Sequence, residues 1–264
     1  MFLFLMLLCT TANSQPTLSP FYWPKSDVEM TDSAIFDYTT LRRAKAAILL
    51  DFTGRKAMPI SQADVDRKIK EDNYSEVSAK FSQRGIIVQL TFKRQNIPFL
   101  FDPKSPGQLQ MDSLSLPFKT TLQPVSDLYS TDDTRPKVYI NQNLGFCNVN
   151  YSVAIIAGHN FPNKLGRDFI SRFDWIIDFR ERKVYCRKNC IAMQTGTEFN
   201  QPYGVSIIDG KIIVVHKNVK MNNFRIGDSV ISVDGDTITD ANVREKLPLI
   251  ENGIAVGRLT FKSQ

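Results

Sequence analysis

The chain has 264 residues, enough for two compact domains with cores of their own or for one large one. Its 42% hydrophobic and 23% charged content is that of an ordinary globular protein and excludes both a disordered chain and a polytopic membrane protein. The net charge of +6 is modest, and the densest basic run, Arg180-Glu181-Arg182-Lys183 with Arg187-Lys188, has the character of a solvated hairpin, so no nucleic-acid partner is expected.

Met1 to Leu8 is an unbroken apolar run, followed by small and polar residues up to Gln15. It is too short to span a bilayer and has the shape of a secretory signal over residues 1–15, although a basic start is missing. Export to the periplasm or the cell exterior is expected, with no integral membrane span. Leu8 stands where a lipoprotein signal needs a small residue, so lipid attachment at Cys9 is not expected. Removal of the signal leaves Cys147, Cys186 and Cys190, which allow at most one intramolecular bridge. Whether Cys186 and Cys190 form it is open at this point. These two are too few for zinc, and His159 and His216 have no ligand spacing to them, so neither metal nor cofactor is expected.

Along the chain, Pro16 to Lys25 is an extended lead-in, and Ile35 to Thr40 and Ala46 to Leu50 are short strands around Arg42-Arg43. Asp64 to Asp72 is polar enough for an exposed helix. From Gly85 the pattern sharpens: Val88, Leu90 and Phe92 share one strand face, Lys93 to Asn96 turns, and Ile97, Phe99 and Phe101 share the next. Further strands are expected at Val138 to Ile140, Cys147 to Ile156, Trp175 to Phe179 and Lys183 to Tyr185, with a short helix at Arg167 to Arg172. Residues 193–200 form a polar linker. Beyond it, Gly204 to Ile208 and Lys211 to His216 flank the turn Asp209-Gly210, and Val230 to Val233 leads into Asp234-Gly235. His216 is read as a strand histidine without a role. The division is therefore an N-terminal region over 16–84, a β lobe over 85–192 and a second small domain over 201–264.

The stretch Leu165-Gly166-Arg167-Asp168-Phe169-Ile170, followed by Phe173 to Phe179 and Arg182-Lys183-Val184-Tyr185, resembles the closing part of retropepsin-like aspartic-peptidase lobes. The hairpin from Gly85 to Phe101 is similar to the approach to that family's catalytic loop. The resemblance implies a catalytic carboxylate at Asp102, where the family places Asp-Thr/Ser-Gly. Here the loop is Asp102-Pro103-Lys104, in which Pro103 removes a donor and fixes φ, and Lys104 puts a bulky cation where glycine belongs. Asp51-Phe52-Thr53-Gly54 is the second candidate, with Phe52 one residue too many for the register. If both descend from a two-lobed dyad, residues 16–84 are a shortened first lobe.

Pro202-Tyr203-Gly204-Val205-Ser206-Ile207, and Gly227-Asp228-Ser229-Val230-Ile231-Ser232-Val233-Asp234-Gly235 after Phe224-Arg225-Ile226, resemble the carboxylate-binding loop and the Gly-Asp signature of bacterial PDZ domains. In that pattern Ile231 and Val233 point inward, a helix capped by Thr239-Asp240 runs to Leu247 where Pro248 stops it, and Arg258 to Lys262 is the last strand. The whole is similar to exported bacterial aspartyl-protease-like proteins with a C-terminal PDZ domain. The implied fold class is mostly β, an aspartic-peptidase-like β lobe followed by a small PDZ-like α+β domain. The implied function is binding of peptides or protein C-termini through Tyr203, Gly204, Val205, Ser206 and Ile207 by a catalytically degenerate homologue. The alternative is an active aspartic endopeptidase using Asp51 and Asp102, or Asp102 in a homodimer.

Overall fold

The computed structural model describes residues 46–105, 107–116, 124–130, 135–191, 199, 201–251 and 254–263. The expected signal peptide, the lead-in, the strand at 35–40 and nearly all of the linker at 193–200 lie outside them. The chain is mostly β, and its centre is a closed six-stranded barrel.

The first described strand, β1 (Ala47–Asp51), is a run of apolar residues without alternation because both of its faces are covered. It forms a hairpin with β2 (Lys56–Ile60). The helix α1 (Gln62–Glu71) follows, two residues earlier than the polar pattern suggests, because Ser61 caps it: its hydroxyl accepts from the Asp64 N–H at 3.1 Å and donates to the Asp64 carboxylate at 2.7 Å. Only Val65 of α1 is buried. Two short strands, β3 (Ser75–Val77) and β4 (Ala79–Phe81), lead to the hairpin of β5 (Ile86–Phe92) and β6 (Gln95–Phe101). Strict alternation buries Val88, Leu90 and Phe92 on one face, as the sequence predicts, with Ile86 joining them, and Lys93 and Arg94 turn the chain with φ of 44° and 70°.

After β7 (Leu109–Asp112) and β8 (Ser126–Leu128) come two long strands, β9 (Lys137–Phe146) and β10 (Val149–Gly158). Here the structure corrects the reading of Cys147 to Ile156 as one strand. Cys147 and Asn148 are the turn of the β9–β10 hairpin, both with left-handed φ, 47° and 60°. Short β11 (Lys164–Leu165) and α2 (Arg167–Ile170) precede the hairpin of β12 (Phe173–Asp178) and β13 (Lys183–Lys188).

The barrel runs β5–β6–β11–β7–β10–β9 and closes where Thr91 of β5 meets Gly145 of β9. The β6–β11 and β7–β10 pairs are parallel and the other pairs antiparallel. A separate five-stranded sheet, β2–β1–β12–β13–β3, packs its inner face on the barrel. The joint is aromatic: Phe101, Phe146, Phe169, Phe173 and Trp175 meet edge-on or tilted at centroid separations of 5.0 to 5.8 Å. Trp175 is fully buried at the middle of it, and its indole N–H donates to the Ile170 carbonyl at 2.8 Å.

The C-terminal unit has its own core around Ile212, Val214, Phe224, Val230 and Ile250. Its strands are β14 (Tyr203–Ile208), β15 (Lys211–Asn218), β16 (Ser229–Val233), β17 (Asp236–Thr237) and β18 (Leu259–Lys262), with α3 (Val243–Glu251) laid against β14 and β15. Gly227 and Gly235 sit at φ of 89° and 86°, turns that the sequence assigned to them. Two details differ. A bulge in the β16–β18 pairing between Val230 and Ser232 turns Val230 inward and leaves Ile231 exposed. And α3 continues through Pro248 to Glu251, because Val243 and Ile250 anchor it in the core on both sides of the proline.

The units are not strung apart. β15 pairs with β8 through His216 to Leu128, Lys217 to Asp127 and Asn218 to Ser126, and β8 pairs with β9, so one sheet runs from the C-terminal unit into the barrel.

Candidate functional site

Asp102 ends β6 and opens a tight loop braced by the chain that follows β11. The Asp102 N–H donates to the Leu165 carbonyl, while the N–H groups of Gly166, Arg167 and Asp168 donate to the carbonyls of Gln108, Ser105 and Gly107 at 2.7 to 2.9 Å. The Gly-Arg-Asp turn and the aspartate loop thus share one hydrogen-bond ladder. The Asp102 carboxylate accepts from the Lys104 N–H at 3.1 Å, so the residue in the glycine's place still supplies its backbone donor. The cation that meets the carboxylate is a different one. Lys164 of β11 places Nζ 2.9 Å from the other carboxylate oxygen. Beside the loop lies a pocket of about 190 Å³ lined by Arg84, Gly85, Ile86, Leu100, Phe101, Asp102, Pro103 and Lys104.

Asp51 ends β1 and belongs to the five-stranded sheet, not to the barrel. Its carboxylate accepts from the Gly54 N–H at 2.7 Å, so the extra residue, Phe52, does not prevent that contact as the register implied. The Thr53 hydroxyl turns away and lies 3.8 Å from the Cys190 sulfur. The turn is held from below by Asp174, which is buried and accepts from the Phe52 N–H (3.1 Å), Arg187 (2.9 Å) and Asn189 (3.3 Å). The Arg187 guanidinium also covers the Tyr74 ring at 5.0 Å, and burial pushes the Tyr74 phenol up to about 12. Asp51 and Asp102 therefore stand on different sheets and share no hydrogen-bond partner among the described residues.

At the second site, β14 pairs with β15 along one edge, and among the described residues no strand lies on the other. Helix α3 flanks that edge. Tyr203 and Val205 point into the core, and the Tyr203 hydroxyl donates to the Ile250 and Ile254 carbonyls, fixing the end of α3 to the strand. Ile207 packs on the same core, so what Gly204 and Ser206 offer outward is mainly backbone. The opposite face of Gly204 touches His216, and a Cβ there would come within 3.1 Å of the histidine.

His216 is the residue the sequence passed over. It is buried where β15 meets β8, with its ring edge-on to Phe199. The Ser126 hydroxyl lies 2.9 Å from the Phe199 carbonyl and 2.6 Å from His216 Nε2, so it ties the ring to that carbonyl. Burial holds the imidazole down at about 4. The one forewarning in sequence is a histidine directly after the apolar run Ile212 to Val215. Comparison of the chain with family models and with curated proteins finds no match. Among the described residues no helix is long and apolar enough to cross a membrane.

Proposed function

We propose that the chain is an exported binding protein and not a peptidase: an aspartic-peptidase-like barrel without a working dyad, joined to a PDZ-like unit that takes up peptides or protein C-termini. The observation that carries this reading is the Asp102–Lys164 ion pair at 2.9 Å. Two carboxylates that activate water must share one proton at about 3 Å. At Asp102 the charged neighbour is an ammonium group, not a second carboxylate, and it pairs with an oxygen that the water would need. The nearest rival, Asp51, is committed to its own turn on another sheet.

Peptide uptake is supported by the open edge of β14 beside α3. An extended peptide added there satisfies the outward N–H and C=O groups of the strand, and side chains of α3 meet alternate side chains of the ligand. Recognition then runs through the backbone of Gly204 to Ile207, with Tyr203 positioning the helix.

Titration of the full chain with a peptide library in free-carboxylate and amidated forms tests this. Saturable binding that prefers the free carboxylate is expected, and no saturable binding to either form overturns the binding role. Peptide-library cleavage at acid pH, with and without a transition-state mimic, tests the other half. Inhibitable cleavage that disappears in Asp51→Asn or Asp102→Asn overturns the loss of catalysis.

A further inference from the structure

Cys147 and Cys186 lie 39 positions apart in sequence, yet their sulfurs are 2.8 Å apart. That is closer than two unbonded sulfur atoms rest comfortably. The two residues also belong to different parts of the fold. Cys147 is in the β9–β10 turn of the barrel, and Cys186 is on β13 of the five-stranded sheet, opposite Trp175. Cys190, two residues past the end of β13, is exposed and has the Thr53 hydroxyl, not a sulfur, as its neighbour. The sequence left open whether Cys186 pairs with Cys190, and the sulfur that Cys186 meets is that of Cys147.

We propose that Cys147 and Cys186 are the protein's redox site, a dithiol that a small-molecule disulfide converts to a cross-link between the barrel and the five-stranded sheet. Their accessibilities assign the roles. Cys147 is partly exposed, whereas Cys186 is 2% exposed, so an oxidant reaches Cys147 first. The shared hydrogen bond draws the Cys147 thiol below its ordinary value, while burial pushes the Cys186 thiol up. The Cys147 thiolate attacks the disulfide RSSR, forms a Cys147–SR mixed disulfide and expels RS⁻. Cys186 then gives up its proton, attacks the Cys147 sulfur and expels the second RS⁻. Two protein thiols are oxidised, one RSSR is reduced, and the two released thiolates take up the two protons. The new bond lies against Phe146, Tyr151 and Trp175, on the joint that holds the barrel to its sheet.

The full chain, reduced and then exposed to oxidised glutathione without denaturant, provides the test. Cys190→Ser is expected to lose the two thiols of Cys147 and Cys186 and to hold no glutathione on either, and both it and the parent are expected to yield a cross-linked peptide containing Cys147 and Cys186, with exposed Cys190 of the parent open to glutathionylation on its own. The oxidised form is expected to melt about 5–15 °C above the reduced one. Cys186→Ser is expected to keep one glutathionyl group on Cys147, because the resolving thiol is gone. Cys147→Ser is expected to leave Cys186 unmodified. A cross-link joining Cys147 or Cys186 to any other cysteine overturns the assignment, as does a parent whose thiol count is unchanged after prolonged exposure. Both of those readings use the unmutated protein and do not depend on how the variants fold.

Discussion

Asp51 and Asp102 begin alike and end differently. Each closes an apolar strand, opens a tight turn, and accepts from a backbone N–H two or three residues on. Each is also preceded by a residue that touches Trp175: Leu50 pairs with it across the β1–β12 ladder, and the Phe101 ring meets it edge-on at 5.0 Å. What separates the two is the strand next door. Asp102 has the parallel β11 beside it and gains Lys164, whereas the Asp51 turn rests on the buried carboxylate of Asp174. Local turn chemistry thus sets the shape of an aspartate loop, and its tertiary neighbour sets what the carboxylate can do.

Removing the shared support acts on both turns at once. Trp175→Ala deletes a fully buried indole from the aromatic joint and is expected to cost about 3–5 kcal/mol in denaturant unfolding. Amide exchange is expected to quicken in both turns together; protection lost at only one would show that the supports are separate. Acid provides a control through His216, which lies in neither turn. Unfolded His216 binds its proton below about pH 6.5, whereas burial delays this to about pH 4 in the folded chain. The unfolded state therefore holds more protons in that window, and stability falls as the pH drops from about 6.5 to about 4, by up to about 3 kcal/mol. His216→Gln is expected to flatten that slope in unfolding midpoints measured against pH.

The smaller changes sharpen the contrast between the turns. A Cβ on Gly54 collides with the Asp51 carboxylate, so Gly54→Ala must swing that side chain off its N–H. A loss of about 1 kcal/mol is expected, with faster exchange confined to the Asp51 turn. Lys164→Met removes the cation from Asp102 and is expected to cost no more than about 1 kcal/mol, because the pair is partly open to water. Salt should weaken the parent slightly more than this variant, and equal responses would argue that the ion pair contributes nothing.

The elements legible in the sequence are those whose signal is local. Alternation fixed the β5–β6 hairpin because one face of each strand is buried, and Gly227 and Gly235 stand at turns that need left-handed backbone. Elsewhere a partner from far along the chain decides. Lys164 reaches Asp102 across 62 positions only because β11 runs parallel to β6. Cys147 occupies a left-handed turn that a cysteine rarely adopts, so the run Cys147 to Ile156 looked like unbroken strand, with Asn148 the only hint. Pro248 reads as a stop until Val243 and Ile250 are seen anchored on both sides of it.

The place of β1 in its sheet also dictates an order of events during synthesis. Its four apolar residues pair with β12, and Ala47 meets Asp178, so about 130 residues must follow before the partner exists, roughly 7–26 s at ordinary rates of translation. Through that interval β2 is, among the described residues, the one sheet partner of β1 already made, and the edge that β12 will take stays open. A ribosome-bound chain halted before residue 173 should therefore engage chaperones through Ala47 to Leu50, and release them once β12 and β13 have emerged.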